Sequence, residues 1–248
     1  MGLAGEGSES GSETRFTPVA VIMFGSPGSG KGTQSKFLVN WLGIPQISTG
    51  DMLRDHMRRG TEIGRNIAAR MKAGSLVSDE LANDLVRSRI AEDDCSKGFI
   101  LDGYPRTPSQ AAALGPLLAS AGIFEVVIHL QVDYNIVVSR MTGRRVCPTC
   151  GTLYNALTRP PLREGLCDSD GALLVVRDDD REEIVRERLG EYEASTRPLI
   201  EFFRGAGANL FEVDASRAKP EDVFGWIQHD LLRLFSDVSS ATKGSLVQ

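Results

Sequence analysis

The apolar residues of this chain fall into short β-branched runs that alternate with stretches of helical spacing. Such runs, bounded by polar or glycine-containing segments, are typical of buried strands. The runs are 17–24, 44–48, 98–101, 125–132 and 209–213, of which 44–48 is the weakest. Apolar residues that recur every three or four positions predict helices between the strands. The predicted helices are 31–42, 79–92, 107–120, 134–142, 181–204 and 220–235.

This alternation predicts an α/β fold, with a five-stranded parallel sheet flanked by helices on both faces. Two segments interrupt the pattern. Residues 49–77 consist mostly of short amphipathic helix without a strand, and residues 144–180 are rich in Gly, Pro, Cys, Arg and Asp. Both segments are interpreted as insertions on the α/β core.

The composition is that of an ordinary globular chain, with 41% hydrophobic residues among 248. No apolar run approaches the roughly 20 residues of a membrane helix, and the first residues lack the apolar core of a secretory signal. A net charge of −5 argues against a general nucleic-acid binder, so any polyanionic ligand must be held by a local cluster of Arg and Lys. Four cysteines in a chain of this length favour a reduced, cytoplasmic location. We therefore expect no membrane or nucleic-acid partner.

The stretch GSPGSGKGT at 25–33 follows the first predicted strand and opens the first helix. Glycines let backbone N–H groups surround phosphate oxygens, and a helix N-terminus adds partial positive charge. Lys31 is placed to reach the β- and γ-phosphates, but Thr33 comes one residue later than the hydroxyl that ligates Mg²⁺ in the general motif. A plain glycine-rich turn is the alternative, which the strand–loop–helix context disfavours. The nucleotide-binding candidates of the loop are Gly28, Ser29, Gly30, Lys31, Gly32 and Thr33.

A second part of such a site is the segment GFILDGYPR at 98–106, an apolar strand that ends in Asp102. In phosphate-loop folds, an acidic residue at the end of a neighbouring strand often holds Mg²⁺ or its water. An aspartate in a strand-ending turn is the alternative. The pairing with the phosphate loop favours the Mg²⁺ role.

Six motifs occur in the order in which they are found in adenylate kinases, and the chain resembles that family. The motifs are GSPGSGKGT, GIPQISTGDMLR, LVSDEL, GFILDGYPRT, GRRVCPTCG and RDDDREEIVRERLGEY. The resemblance runs from residue 18 to about 235 and is strongest to the long-lid, zinc-containing bacterial type. Glycine after the loop lysine is that family's own pattern, whereas Tyr104 stands where phenylalanine is commoner.

The resemblance implies a P-loop NTPase fold with two functional insertions. The implied core comprises 17–47, 78–142 and 181–236. A helical AMP-binding domain would occupy 48–77, and a lid with a zinc-ribbon-like site would occupy 143–180. Composition predicts a disordered tail at 1–16 and a flexible tail at 237–248. The resemblance also implies a monomer that binds ATP, AMP and ADP.

The resemblance assigns roles residue by residue. The implied AMP contacts are Thr49, Gly50, Arg54, Leu76, Val77, Gly103, Arg106, Gln110, Arg177 and Arg188. The implied ATP contacts beyond the loop are Arg140, Arg144, Leu153, Tyr154 and Lys219. The implied catalytic set is Lys31, Asp102, Arg106, Arg144, Arg177 and Arg188. For Arg145 and Arg186, two interpretations are equally favoured: a solvated surface charge, or a further contact to the nucleotide phosphates.

Phosphoryl transfer from Mg-ATP to AMP, giving two ADP, suits such a set of residues. The second pKa of a phosphate monoester is about 6, so the attacking oxygen is already ionised and no general base is required. The three histidines accordingly fall outside every motif. Arginine offers a planar fork and a permanent charge for the moving phosphoryl group, and closing insertions would exclude water.

Two other functions stay open at this point. A kinase of another nucleoside monophosphate, such as UMP, CMP or GMP, would carry the same phosphate loop. A non-enzymatic module that binds nucleotide or nucleic acid would lack the transfer residues and would have a basic patch around the cysteines. The presence of Lys31, Arg106, Arg144, Arg177 and Arg188 disfavours the second alternative.

Three cysteines and an aspartate are spaced as Cys147-x₂-Cys150-x₁₆-Cys167-x₂-Asp170. Zinc accepts thiolate and carboxylate ligands in closed tetrahedral sites, so this spacing predicts a structural zinc ribbon. Free thiols and a redox pair are the alternatives, and Asp168 competes with Asp170 as the fourth ligand. Some long-lid adenylate kinases resemble this arrangement, with either four cysteines or three and an aspartate.

Overall fold

The computed structural model of the chain describes residues 18–244. Within them the strands are β1 Val19–Gly25, β2 Gln46–Ser48, β3 Gly98–Asp102, β4 Phe124–Gln131, β5 Arg144–Val146, β6 Leu153–Asn155 and β7 Asn209–Asp214. Five strands form a parallel sheet in the order β2-β3-β1-β4-β7, whereas β5 and β6 pair antiparallel in the second insertion. The five predicted strands are therefore confirmed. The predicted tail at 1–16 lies outside the described residues.

The helices of the described residues agree with the predicted periodicity. They are α1 Lys31–Leu42, α2 Thr49–Arg58, α3 Glu62–Lys72, α4 Asp79–Ile90, α5 Pro108–Ser120, α6 Tyr134–Thr142, α7 Glu182–Glu191, α8 Leu199–Gly205 and α9 Pro220–Gly244. The single helix predicted for 181–204 is divided, because a π-helical turn at Tyr192–Thr196 and Pro198 separate α7 from α8.

The C-terminal helix is longer than the sequence pattern predicts. The predicted helix covers 220–235, whereas α9 continues to Gly244 and so includes part of the segment expected to be a flexible tail, 237–248. No proline or glycine interrupts residues 226–243, so nothing in the backbone chemistry stops the helix. Residues 245–248 lie outside the described part of the chain.

The central strand β1 explains why the core is continuous. All seven of its residues are buried, because β3 and β4 pair with its two edges and helices cover both faces. Val19, Val21 and Met23 pack on the side of α1 and α9. Ala20, Ile22 and Phe24 pack on the side of α4, α5 and α8. Burial of each large apolar side chain stabilises the fold by about 1.5–3 kcal/mol, and the carboxyl end of β1 thereby becomes a rigid support.

One histidine interrupts the apolar run of β4. His129 is 4% exposed and its ring stacks on Phe24 of β1 at 4.4 Å between centroids. Its Nδ1 lies 3.2 Å from Glu212 Oε1 on β7, and its Nε2 lies 3.2 Å from the hydroxyl of Tyr192 in the π-turn. Burial lowers the pKa of His129, an effect that Glu212 opposes and that the charges of Lys31 and Arg204 reinforce.

Acidification should therefore destabilise the protein through His129. The folded pKa lies below the unfolded value of 6.5, so below that pH the unfolded chain binds a proton that the folded chain does not. As the pH decreases below 6.5, His129 should lower the free energy of unfolding by up to about 1.4 kcal/mol for each pH unit. Denaturant unfolding of the wild type and of His129→Phe and His129→Gln at a series of pH values measures the difference. Curves of identical pH slope would contradict a buried, neutral His129.

Candidate active site and metal centre

The phosphate loop lies between β1 and α1, as the sequence predicts. Gly30 takes a left-handed conformation, with φ of 104°, immediately before the first residue of α1. Gly28 is also left-handed, with φ of 76°, and a Cβ there would lie 2.7 Å from the side chain of Met141. Both positions thus require glycine, and the loop can curl tightly at the N-terminus of α1.

Lys31 is partly buried inside this loop. Its Nζ donates hydrogen bonds to the backbone oxygens of Gly25 and Ser26, at 2.8 and 2.9 Å. Burial lowers the pKa of Lys31 to about 7, and the positive charges of nearby arginines act in the same direction. The side-chain hydroxyl of Ser26 is buried and has no hydrogen-bond partner among the described residues. An oxyanion in the loop would raise the pKa of Lys31 and give that hydroxyl an acceptor.

Asp102 lies beside the loop because β1 and β3 end at the same edge of the sheet. It pairs in register with Met23, and a Cβ on Gly32 would lie 3.5 Å from its carboxylate. Gln46 Nε2 donates to Asp102 Oδ2 at 2.9 Å. Burial raises the pKa of Asp102, whereas the charge of Lys31 opposes that rise. The carboxylate of Asp102 therefore lies beside the phosphate loop.

A cleft between α2, α3, α4 and the segment after β3 contains all of the predicted AMP contacts except Arg177. The predicted contacts that line it are Thr49, Gly50, Arg54, Leu76, Val77, Gly103, Arg106, Gln110 and Arg188. The hydroxyl of Thr49 and the Nε of Arg106 both donate to the backbone oxygen of Gly103, each at 2.8 Å. Apolar side chains complete the walls, namely Leu53, Met71, Ala82 and Leu85. The cleft therefore combines a cationic end with an apolar part.

The cationic end is a cluster of half-buried arginines. Burial lowers the pKa of Arg106, Arg177 and Arg188, the last to about 10. Repulsion from neighbouring guanidinium groups lowers these pKa values further. Arg188 pairs with Asp179 at 2.8 Å, and Arg144 pairs with the fully buried carboxylate of Asp180. Crowded cations of this kind favour a polyanionic ligand, which would relieve their repulsion.

Ion pairs also connect the two insertions across this cluster. Arg54 of α2 lies 3.8 Å from Asp179, and Arg177 lies 4.0 Å from Asp51. Asp51 itself accepts from Arg54 at 2.6 Å. Arg177 therefore faces the arginine cluster, although it does not line the cleft. In contrast, Arg186 points to solvent and pairs with Glu182 at 2.7 Å.

Of the predicted ATP contacts beyond the loop, Arg144 belongs to the arginine cluster, whereas Arg140 and Tyr154 make their contacts elsewhere. Arg140 donates to the backbone oxygens of Ala215 and Ser216, at 2.8 and 3.0 Å, and so supports the segment that precedes Lys219. Tyr154 is 6% exposed and packs with Cys147 and Cys167. Its ring is thus part of the interior of the second insertion, and an adenine could meet only its backbone or the half-buried Leu153.

The four predicted zinc ligands converge in the second insertion. One donor atom from each of Cys147, Cys150, Cys167 and Asp170 lies within 4.8 Å of the others. The Sγ atoms of Cys150 and Cys167 are 3.6 Å apart, and Cys147 Sγ lies 3.2 Å from an Asp170 oxygen. The backbone N–H of Ala172 donates to Asp170 and lowers its pKa to about 2, so the carboxylate is ionised.

Two equivalent turns bring the ligands together. Gly151 N donates to Cys147 O at 3.0 Å, and Gly171 N donates to Cys167 O at 2.9 Å. Each turn carries its second ligand three residues after the first, which is Cys150 in one and Asp170 in the other. Asp168 instead accepts from the backbone of Leu162 at 2.8 Å and is not in the cluster. The geometry therefore favours Asp170 over Asp168.

Several polar residues of the site were not among the predicted contacts. Asp51 balances Arg54 and Arg177, and Asp79 accepts hydrogen bonds from Thr107 and Gln110. Their local sequence signal is that of acidic residues in the first turns of helices, which is common without any site. Only the folded chain reveals that these carboxylates also reach side chains from other elements.

Comparison with known proteins agrees with this geometry. A family model described as adenylate kinase matches residues 23–208. A protein of Anaeromyxobacter sp. (strain Fw109-5), named adenylate kinase, is 51% identical over 188 residues, which are 75% of this chain and 88% of that protein. A protein of the same name from Fervidobacterium nodosum is 46% identical over 202 residues, which are 81% of this chain and 92% of that protein.

Proposed function

The chain belongs to the adenylate kinase family, and we propose that Mg-ATP binds at its phosphate loop and AMP in the neighbouring cleft. As an adenylate kinase, the protein transfers a phosphoryl group reversibly from Mg-ATP to AMP, giving two ADP. One observation carries the assignment of sites: the phosphate loop and the cleft open toward the same half-buried cluster of Arg106, Arg144, Arg177 and Arg188.

The chain's own groups would act by position and charge. Lys31 and the loop N–H groups hold the β- and γ-phosphates, and Arg106 with Arg54 holds the phosphate of AMP. Arg144, Arg177 and Arg188 stabilise the charge on the moving phosphoryl group. Because the attacking AMP oxygen is already ionised, no side chain needs to remove a proton.

Asp102 would hold the magnesium ion or its water. Its donor chemistry fits, since Mg²⁺ takes oxygen ligands and usually keeps several waters. Its partly buried carboxylate lies beside Lys31 and Gly32 and is held by Gln46. When bound, Mg²⁺ neutralises charge on the phosphate oxygens.

The two insertions would close over the nucleotides and exclude water, which is the competing acceptor. Residues 48–77 form the proposed AMP-binding domain and 143–180 the proposed lid, on a core of 17–47, 78–142 and 181–236. The ion pairs Arg54–Asp179 and Arg177–Asp51 already join the two insertions beside the cleft. Closure would thus complete the arginine cluster when both nucleotides are bound.

We also propose that the lid holds one structural zinc ion. Three thiolates and one carboxylate fit the tetrahedral geometry of zinc, and four protein ligands leave no position for substrate or water. The metal would therefore stabilise the lid and take no part in the reaction. Cys95 is remote from this set and lies buried in the main core.

A cytoplasmic monomer that binds only small nucleotides is the proposed setting. Within residues 18–244 no helix is both long and apolar enough to span a bilayer. The overall charge of −5 supports the view that phosphate recognition is confined to the local cluster of arginines.

Measurement of ADP formation from ATP with each of AMP, UMP, CMP and GMP tests the proposed substrate. We expect AMP to be phosphorylated fastest, with a strict requirement for Mg²⁺. Faster turnover of UMP or CMP than of AMP would assign the enzyme to another monophosphate. Absence of turnover with every monophosphate, in a folded protein that binds ATP, would overturn the enzymatic proposal.

A further inference from the structure

The side-chain amide of Gln110 has a fixed orientation in the proposed AMP cleft. Gln110 is 2% exposed. Its Oε1 accepts from the backbone N–H of Arg106 at 2.7 Å, and its Nε2 donates to Asp79 Oδ1 at 2.7 Å. A backbone N–H can only donate and an ionised carboxylate can only accept, so a reversed amide would meet two mismatched partners.

Asp79 is itself held in place. Its other oxygen accepts from the hydroxyl of Thr107 at 3.0 Å, and that hydroxyl accepts from the backbone N–H of Gln110 at 3.1 Å. One turn later on α4, Asn83 accepts from the hydroxyl of Tyr104 at 2.6 Å. Helix α4 therefore holds the segment 104–110 at two points, and the carboxylate cannot turn away without the loss of both of its contacts.

The fixed amide still has hydrogen-bonding capacity for a ligand. After the two contacts, Nε2 retains one N–H and Oε1 retains one lone pair. An adenine edge offers a ring-nitrogen acceptor beside the N6 amino donor, which is the complement of that pair. A 6-oxopurine has an acceptor where adenine has the amino group, so it would meet Oε1 with a like group.

We propose that Asp79 is a positioning residue that makes the cleft select a 6-aminopurine over a 6-oxopurine, by fixing the orientation of the Gln110 amide. This inference rests on the proposed function, in which the cleft binds AMP. Asp79 acts through Gln110 and does not touch the reacting atoms. Discrimination then arises from the unpaired polar groups that the wrong base would leave in a buried site.

The test compares AMP with inosine monophosphate, which differs from AMP at the 6-position of the base and lacks the extra amino group of guanine. Asp79→Ala and Asp79→Ser leave the amide held only by the Arg106 N–H. The ratio of kcat/KM for AMP to that for inosine monophosphate should fall by about tenfold or more, since a hydrogen bond to a charged group is lost. Asp79→Asn should retain most of the ratio, because its carbonyl oxygen can still accept from Nε2.

Glu80→Ala is the matched control, because Glu80 is the exposed next residue in the first turn of α4. It should leave the ratio unchanged. An unchanged ratio in both the alanine and serine variants, with AMP still phosphorylated, would overturn the role of Asp79 and leave the proposed function intact. Failure of the wild type to phosphorylate AMP would instead overturn the proposed function. A merely structural role would lower kcat/KM for both nucleotides equally.

Discussion

Replacement of Arg188 by alanine is expected to lower kcat for ADP formation by about a thousandfold or more. The Arg188 side chain is 17% exposed and donates to Asp179 at 2.8 Å. Arg188 lies among other arginines and is largely shielded from water, so its charge would act strongly on a polyanion bound beside it. The moving phosphoryl group carries such charge, and it gains most from the guanidinium in the transition state.

The measurement is kcat and KM in the coupled assay, together with thermal unfolding of each variant. Arg186→Ala is the matched control on the same helix, because Arg186 is exposed and its partners, Glu182 and Tyr134, lie outside the arginine cluster. That control should change kcat by no more than about twofold. The kcat of Arg188→Lys should lie between those of the wild type and Arg188→Ala, since lysine keeps the charge but not the planar fork. A folded Arg188→Ala enzyme with more than a tenth of wild-type kcat would contradict a transition-state role.

The sheet could be predicted from the sequence because its strands are buried by their neighbours. Residues 19–24 are a continuous apolar run, and β1 is paired at both edges and covered on both faces. Strands buried on both faces can be recognised from their own continuous apolar sequence, without knowledge of the strands they pair with. Helix α9 extends past the predicted helix 220–235 for the opposite reason. After Phe235 the chain is more polar, so its apolar spacing no longer predicts a helix, although no residue there stops one.

The site was predictable only where the chemistry is local. The phosphate loop and the ligand pairs each lie within a few residues, so their spacing predicts their geometry. The link between Asp79 and Gln110 joins side chains 31 residues apart, and that between Arg177 and Asp51 crosses two insertions. Likewise, Tyr154 could not be predicted to face inward, because its neighbours Cys147 and Cys167 come from other turns of the lid.

The lid itself has too small an apolar interior to fold without help. Only Cys147, Tyr154 and Cys167 are buried in its cluster, with Ala172 and Leu174 packed against them. Three leucines of the same segment, Leu157, Leu162 and Leu173, are 73%, 91% and 73% exposed. A segment of this size usually requires a metal or a disulfide to hold its fold. The proposed zinc ion would supply that stabilisation by joining the two cysteine turns.

Asp170→Asn is therefore expected to weaken metal binding strongly and to unfold the lid, whereas Asp168→Asn should retain one zinc ion per chain. The reason is that a neutral amide replaces an anionic ligand at position 170, while Asp168 only accepts a backbone hydrogen bond from Leu162. Zinc content after dialysis and hydrogen exchange of residues 144–176 measure the two effects separately. Exchange in the lid should rise by about a thousandfold or more in Asp170→Asn, because structural zinc contributes many kcal/mol to small folds.

The main core supplies the internal reference for that experiment, because β1 and β3 lie outside the lid and share no ligand with it. Their exchange should not change in either variant. Zinc retained in Asp170→Asn but lost in Asp168→Asn would reverse the ligand assignment. Well under one zinc per wild-type chain, with a protected lid, would mean that the two turns are held by some other force. Loss of lid protection together with loss of zinc would instead identify the metal as what holds the lid folded.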